Sequence, residues 1–393
     1  MRNIVTGIDI GTYQVKVIIA EGIQKNSGYI PHIIGKGMAE SKGLRHGYII
    51  NTGDTVRSLK QAMAQASKAA GVPIKRAFIS IGGIGLSSFI SQGSATISRA
   101  DSEVSELDME KALEICRSEI PASLSLNREI IHTIPLQYKI DGKPVLGRPL
   151  GMRGSKLEVK TLFITCLKHH LDDLIEAIEE AGVNVIDVIS APIAASFVTL
   201  SKTQKIAGCV LANIGAETLS IVVFENNIPI SLEVFPIGST DITNDIALGL
   251  RIPLEEAESI KLGAVTGTTY PQRELEEIVS ARLSDMFELV EAHLKKIGRN
   301  GLLPAGIIIT GGGSGIGTIE DFARIALKLP SRRAVFQFKV TEGENLDTAW
   351  SVAYGLCLAG INNEAEESGT RRFGSAWHKA RKTIFSWIKP FLP

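Results

Sequence analysis

The chain has 393 residues, of which 44% are hydrophobic and 6% aromatic, so it can bury a large core and form two or more domains. Its 42 Lys and Arg residues balance 42 Asp and Glu residues, which excludes an overall basic field that would attract nucleic acid. The four cysteines lie far apart, without a C-x-x-C pair or a histidine at ligand spacing, which argues against a zinc site or a disulfide framework. We expect them to be buried thiols in a reducing compartment.

The first residues enter a strand pattern directly, with no basic region, apolar core or cleavage site, so we expect no signal peptide. No apolar run reaches the ~18 residues that a bilayer-spanning helix needs. These features predict a globular protein without a membrane-spanning segment.

Residues 4–20 contain two β-branched runs on either side of Gly11 and Thr12, which predicts a strand, a tight turn and a returning strand. Such a turn presents successive backbone N–H groups that suit a phosphate, and glycine lets the backbone approach it closely. Asp9 lies where a hydrated Mg²⁺ needs a carboxylate. An ordinary surface hairpin is the alternative.

Strand patterns continue at residues 30–37 and 76–81, with a helix between them. Asn51 or Thr52 caps this helix at its start, and Gly71 followed by Pro73 ends it near residue 70. Strands followed by a covering helix predict the beginning of an α/β layer.

From about residue 80 the composition changes to Gly, Ser and alternating polar and apolar residues. A helix at 105–119 and strands at 129–140 and 157–166 then follow. We interpret residues 80–160 as a small β/α unit inserted into the first domain, after which a helix, a strand and a short apolar helix lead to residue 200.

A second hairpin at residues 207–224 repeats the first one, with Asn213 in the place of Asp9 and Ile214-Gly215 at the turn. Two such turns facing each other can hold a phosphate chain between them. The repeat is therefore more specific for a phosphate site than either hairpin alone.

Helices are predicted at 241–250, 253–262 and 272–297, the last with an apolar stripe typical of core packing. A buried strand at 307–310 runs into Gly311-Gly-Gly-Ser314, and a helix follows from about residue 319. A glycine-rich turn between a strand and a helix is a frequent nucleotide contact. A core helix at 347–360 and a polar linker at 361–372 complete this part.

Residues 373–393 form an amphipathic helical pattern with two tryptophans. From residue 371 onward there are six Lys or Arg residues and no Asp or Glu, which favours a helix lying in an anionic membrane surface. A partner groove, or docking on the chain's own domain, are the alternatives. The predicted membrane-binding residues are Phe373, Trp377, Lys379, Arg381, Lys382, Ile384, Phe385, Trp387, Ile388 and Lys389.

The order Asp9-Ile-Gly-Thr, Asn213-Ile-Gly-Ala-Glu-Thr and Gly311-Gly-Gly-Ser resembles the superfamily of actin-like proteins, sugar kinases and heat-shock chaperone ATPases. Within it, the inserted unit, with its motifs at 131–141 and 151–153, and the basic amphipathic tail are similar to the FtsA family of bacterial cell-division proteins. The resemblance covers essentially the whole chain.

This resemblance implies an α/β, actin-like (ribonuclease H-like) two-domain fold with an inserted small β/α subdomain and a C-terminal amphipathic helix. The implied divisions are domain 1 at 1–79 and 161–200, the insert at 80–160, domain 2 at 201–360 with an outer lobe at about 225–303, the linker at 361–372 and the membrane helix at 373–393.

The resemblance also implies ATP with Mg²⁺ in a cleft between the domains. Glu258 and Lys261 match a pair that contacts the adenosine, although a solvent-exposed helix ion pair is the alternative. The implied nucleotide-binding residues are Asp9, Gly11, Thr12, Tyr13, Lys16, Gly215, Ala216, Glu217, Thr218, Glu258, Lys261, Gly311, Gly312, Gly313 and Ser314, with Asp9 also associated with the metal.

Two departures concern hydrolysis. Asn213 stands where the second hairpin usually has Asp, and Ala191 stands where hydrolytic relatives have a Glu that serves the attacking water. Phosphoryl transfer to water needs a positioned nucleophile and neutralised charge. We therefore expect ATP to be bound but hydrolysed very slowly or not at all.

The implied function is an ATP-binding protein that polymerises on the inner face of the cytoplasmic membrane at the division site. It would anchor FtsZ filaments by binding the FtsZ C-terminal tail, and help to recruit later divisome proteins. A PilM-like pilus-assembly scaffold and a small-molecule kinase are the alternatives, the kinase being opposed by Asn213 and Ala191. No nucleic-acid partner is expected.

Overall fold

A computed structural model of the chain describes residues 3–25, 28–263, 270–337 and 346–370. The strands of these ranges, numbered in chain order, are β1 (Ile4–Ile10), β2 (Gln14–Lys25), β3 (Gly28–Glu40), β4 (Leu44–Arg45), β5 (Tyr48–Ile49), β6 (Arg76–Ile81), β7 (Ser87–Thr96), β8 (Arg128–Ile140), β9 (Lys143–Val145), β10 (Lys156–Leu167), β11 (Asn184–Ser190), β12 (Cys209–Ile214), β13 (Leu219–Glu225), β14 (Ile228–Phe235), β15 (Ile307–Thr310) and β16 (Ser331–Arg333).

The helices of the same ranges are α1 (Thr52–Ala70), α2 (Glu106–Ser118), α3 (Ala122–Ser125), α4 (Lys168–Glu180), α5 (Ala191–Thr199), α6 (Lys202–Ala207), α7 (Ser239–Leu250), α8 (Leu254–Lys261), α9 (Gln272–Lys296), α10 (Ile319–Leu327) and α11 (Ser351–Thr370). Short 3-10 turns occupy Gly312–Gly315 and Thr348–Trp350.

The first domain is built on a five-stranded sheet in the order β11-β6-β1-β2-β3. Strands β1 and β2 form the predicted antiparallel hairpin, and β6 runs parallel to β1. Helix α1 begins at the predicted cap, where the Asn51 side chain accepts the N–H of Asp54, and it ends at Gly71 in the left-handed conformation. Local sequence signals therefore predicted these elements correctly.

The inserted unit has a four-stranded antiparallel sheet in the order β7-β10-β8-β9. Helix α2 packs on one face of this sheet through Met109, Ala112 and Cys116, which are buried. Strand β10 runs on to Leu167, beyond residue 160, where we expected the insert to end. Its second half is buried on both faces, because Leu162 and Ile164 pack into the core of the first domain and Phe163 packs into the core of the insert. The small strand β9 lies in a stretch that was expected to be only a link.

The second domain repeats the first, with a five-stranded sheet in the order β14-β13-β12-β15-β16. Strands β12 and β13 form the predicted second hairpin, and β15 runs parallel to β12. In α9 the predicted stripe is confirmed, since Leu283, Met286, Val290 and Leu294 are fully buried.

Helix α11 packs against α5 and β1 in the first domain, and the Tyr354 hydroxyl donates to the Pro31 carbonyl at 3.0 Å. It continues to Thr370, so the expected linker at 361–372 is helical as far as it is described. Ile361 is fully buried, and the Glu and Ala residues after it have high helix propensity, which overrides the polar composition.

All four cysteines are free and buried, as expected from the sequence. Among the described helices, none is both long and apolar enough to cross a membrane. The predicted membrane-binding residues from Phe373 to Lys389 lie outside the described residues.

Candidate nucleotide-binding site

Each hairpin turn is closed by the same backbone hydrogen bond. The Gly11 N–H donates to the Gln14 carbonyl at 3.2 Å, and the Gly215 N–H donates to the Thr218 carbonyl at 2.8 Å. The next two N–H groups of each turn, those of Thr12 and Tyr13 and of Ala216 and Glu217, have no acceptor within the described residues. Adjacent backbone donors without acceptors are the usual basis of a phosphate site.

Asp9 lies near the end of β1, directly opposite Lys16 on β2. The Ser80 hydroxyl donates to Asp9 Oδ1 at 2.9 Å and accepts the Ile10 N–H at 3.2 Å. Burial raises the pKa of Asp9, and the Lys16 charge and the Ser80 hydrogen bond oppose this shift. A cation bound at the first turn would therefore stabilise the charged form of Asp9, which burial disfavours.

The side chains at this position can bind Mg²⁺ only if water molecules and nucleotide phosphates supply most of its ligands. Among the described residues no group of three His, Cys, Asp or Glu side chains converges on a metal position. Mg²⁺ bound to nucleotides usually keeps several waters and takes one or two carboxylates. Asp9 matches that requirement, whereas the carboxamide of Asn213 brings no charge to the second turn.

The glycine-rich loop packs directly on the second turn. Gly311 has φ 91°, and a Cβ at this residue would lie 2.4 Å from Asn213 Oδ1 and 2.5 Å from the Ile214 carbonyl oxygen. Only glycine combines this conformation with so close an approach. The Ser314 hydroxyl donates to the Gly311 carbonyl at 2.7 Å, so it closes the loop itself.

Glu258 and Lys261 form part of a network that ties α8 to α7. Lys261 Nζ lies 2.6 Å from Glu258 Oε2 and donates to the Ser239 carbonyl at 3.1 Å and to Thr243 Oγ1 at 2.8 Å. The Lys261 side chain is only 6% exposed. The ion pair that was the alternative is therefore present, although the Lys261 side chain is buried, and within the outer lobe it ties α8 to the start of α7. Contact of this pair with the adenosine stays a prediction.

This network is continuous with the glycine-rich loop. A Cβ at Gly313 would lie 3.1 Å from the Ser239 Cβ and 2.5 Å from Ile214 Cγ2. The fold thus brings the second turn, the glycine-rich loop and the Glu258–Lys261 pair into one cluster, although they are far apart in sequence.

Two residues at the site carried no signal that sequence reasoning could use. Ser80 is the hydroxyl partner of Asp9, and His46, at the turn between β4 and β5, donates its N–H to the Glu217 carboxylate. Neither belongs to a motif, because both contacts join residues that are distant in sequence. Ala191 lies near Gly82, whose Cβ would be 3.9 Å from the Ala191 Cβ.

Comparison with known families gives two matches in the order of the domains. A family model described as the SHS2 domain inserted in FtsA matches residues 83–165, and a model for the cell division protein FtsA matches residues 210–355. The cell division protein FtsA of Pseudomonas aeruginosa is 30% identical over 95% of this chain and 93% of its own length. The Bacillus subtilis FtsA is 31% identical over 83% of this chain and 77% of its own length.

The chain belongs to the FtsA family. This confirms the resemblance drawn from the three motifs, and it identifies the inserted unit as the SHS2 domain of FtsA.

Solved structures confirm the actin-like α/β fold of this member of the FtsA family. The PilM–PilN type IV pilus biogenesis complex aligns with a TM-score of 0.67 at 17% identity, covering 91% of this chain and 98% of that one. MreB 5 of Spiroplasma citri bound to AMPPNP aligns with a TM-score of 0.54 at 13% identity, covering 93% and 98%. At these identities the likeness concerns the fold alone.

Proposed function

We propose that this FtsA-family protein binds ATP with Mg²⁺ between its two domains and polymerises on the cytoplasmic face of the cell membrane at the division site. There it anchors FtsZ filaments and helps to recruit later division proteins. The observation that carries the nucleotide part is the pair of turns, each with two successive N–H groups that have no acceptor within the described residues, next to the half-buried Asp9.

The two turns hold the phosphates in this proposal, from Gly11 to Tyr13 on one side and from Gly215 to Thr218 on the other. Lys16 adds a positive charge opposite Asp9, and Asp9 orients the hydrated Mg²⁺, whose charge neutralises the phosphates. The glycine-rich loop and the Glu258–Lys261 pair hold the adenosine. The proposal is supported by the structure of MreB 5, which shares this fold and was solved with AMPPNP.

We expect hydrolysis to be very slow, because Asn213 and Ala191 leave the attacking water without the carboxylates that relatives use. A single-turnover assay with excess purified protein, ATP and Mg²⁺ tests this expectation. The expected result is stable binding with no phosphate release within minutes. Complete phosphate release on the minute scale would overturn this expectation. Phosphorylation of a small acceptor would instead support the alternative of a small-molecule kinase.

Membrane attachment is proposed to come from residues 373–393, where aromatic and aliphatic residues alternate with lysines and arginines. One such helix binds weakly, and a filament that presents many helices binds firmly through avidity. Attachment therefore depends on polymerisation.

Liposome flotation tests this assignment. The full chain is expected to float with phosphatidylglycerol-containing vesicles in the presence of ATP, and the chain that ends at Arg372 is expected to remain in the bottom fraction. Vesicles of phosphatidylcholine alone are the control for charge, and they should recover much less protein. Equal flotation of both chains would contradict the assignment.

The same assay separates the second candidate function, a scaffold for pilus assembly, which the PilM–PilN alignment favours as a fold. A PilM-like scaffold is expected to lack membrane binding through a basic tail.

The outer lobe at about 225–303 is the proposed docking region of the FtsZ tail. Pull-down of an FtsZ tail peptide by the full chain is expected for a division protein and not for a pilus scaffold.

A further inference from the structure

The second turn carries an acidic side chain among the backbone groups proposed to bind phosphate. Glu217 lies between Gly215 and Thr218, and its carboxylate accepts the N–H of His46, which lies 171 residues earlier in the chain. The His46 ring reinforces the contact, since Nδ1 lies 3.3 Å from the Glu217 carbonyl oxygen and 3.9 Å from its carboxylate. The second turn thus carries a carboxylate that the contact with His46 holds in place.

The His46 side of this contact is anchored in the first domain. The His46 carbonyl accepts the Ile84 N–H at 3.3 Å, and a Cβ at Gly47 would lie 2.4 Å from the Gly83 Cα. The β4–β5 turn is therefore fastened to the segment that follows β6. Because Glu217 belongs to the second domain, its bond to His46 joins the two domains across the proposed cleft.

The charge of Glu217 is only weakly compensated. Within the described ranges, His46 is its ion-pair partner, and no Lys or Arg lies within ion-pair distance of its carboxylate. The Glu217 side chain is 28% exposed, so the charge is partly shielded from water by its surroundings. Like charges a few ångströms apart in such a site repel each other appreciably.

We propose that the Glu217 carboxylate competes with the terminal phosphate of a bound nucleotide, so that its charge lowers the affinity of the cleft for a triphosphate more than for a diphosphate. The Glu217 carboxylate already accepts the His46 N–H, and a phosphate oxygen at this turn would be a second negatively charged acceptor for the same group. A triphosphate adds more negative charge than a diphosphate, so Glu217 lowers its affinity further. This inference rests on the proposed function, namely that the nucleotide binds between these turns.

Isothermal titration calorimetry with Mg-AMPPNP and with Mg-ADP tests the proposal on the full chain. In E217Q the amide keeps an acceptor for the His46 N–H but removes the charge. We expect the ratio of the ADP Kd to the AMPPNP Kd to rise by about tenfold relative to the parent protein. E217A should change the ratio in the same direction.

E225Q is the matched control, since Glu225 is in the same domain and its carboxylate pairs with Arg299 outside the cleft. Its ratio is expected to equal that of the parent protein. An unchanged ratio in E217Q with normal binding would overturn the inference and leave the proposed function intact. No binding of either nucleotide by the parent protein and both Glu217 variants would overturn both, whereas binding gained only in the variants would support the inference.

Discussion

Asp9→Asn is expected to weaken Mg-ATP binding by roughly 10- to 100-fold, because it removes the acidic side chain that can organise the metal between the two turns. Ser80 can still donate to the asparagine Oδ1, so the local hydrogen bond is retained. The neutral residue 213 of the second turn cannot replace the lost charge. Calorimetric titration with AMPPNP measures the effect.

The same substitution separates binding from folding. Burial raises the pKa of Asp9, so the folded protein binds a proton there more readily than the unfolded chain does. The contribution of this group to stability therefore falls as the pH rises above the unfolded pKa. The uncharged Asp9→Asn variant is expected to have an equal or higher Tm at neutral pH, and a large fall in Tm would contradict this reasoning.

Filament formation should decrease together with ATP affinity. Electron microscopy on anionic lipid is expected to show few or no filaments for Asp9→Asn at ATP concentrations that saturate the parent protein. Asp285→Asn, which alters an exposed carboxylate on α9, is the matched control and should behave like the parent. Membrane binding by an isolated peptide of residues 373–393 should be unaffected by any change at Asp9.

Gly311→Ala is expected to lower the free energy of unfolding by about 2 kcal/mol or more and to abolish measurable nucleotide binding. The added Cβ meets the Asn213 side chain and the Ile214 backbone, and its residue has φ 91°. The loop can avoid these contacts only by leaving the second turn. Chemical denaturation and calorimetric titration measure the two effects.

Gly312→Ala is the matched control, because it makes the same chemical change one residue along the loop. A Cβ at Gly312 has no neighbouring atom within 4 Å, and its φ is not in the left-handed region. We expect its stability to stay within about 0.5 kcal/mol of the parent protein. An equal loss of unfolding free energy in the two variants would show that the close packing of Gly311 on Asn213 is not the cause of the destabilisation.

The sequence predicted the hairpins, the capped helix α1 and the stripe of α9, because each depends on residues that are neighbours in the chain. β-branched runs on both sides of Gly11 favour a strand and a turn in any context, and the Asn51 and Gly71 caps act within a single helical turn. The repeat of the first hairpin at Asn213 was visible for the same reason, and it led to the correct family.

The sequence was less informative where polar composition and packing disagree. Residues after Gly360 look like a linker, but Ile361 is buried and α11 continues to Thr370. A solvent-exposed ion pair was the alternative for Glu258 and Lys261, but the Lys261 amine reaches the Ser239 carbonyl and is buried. In both cases the outcome depends on a neighbouring element that a local pattern does not contain.

The sequence by itself thus determined the two turns, the glycine-rich loop and the family, since short-range conformational preferences and motif order are written in consecutive residues. Only the tertiary structure decided which groups meet them: Ser80 at Asp9, Asn213 against Gly311, and His46 at Glu217. These contacts join segments up to 171 residues apart, and they form only when both sheets and their covering helices bury a common core. The electrostatics of the site follows from those long-range contacts.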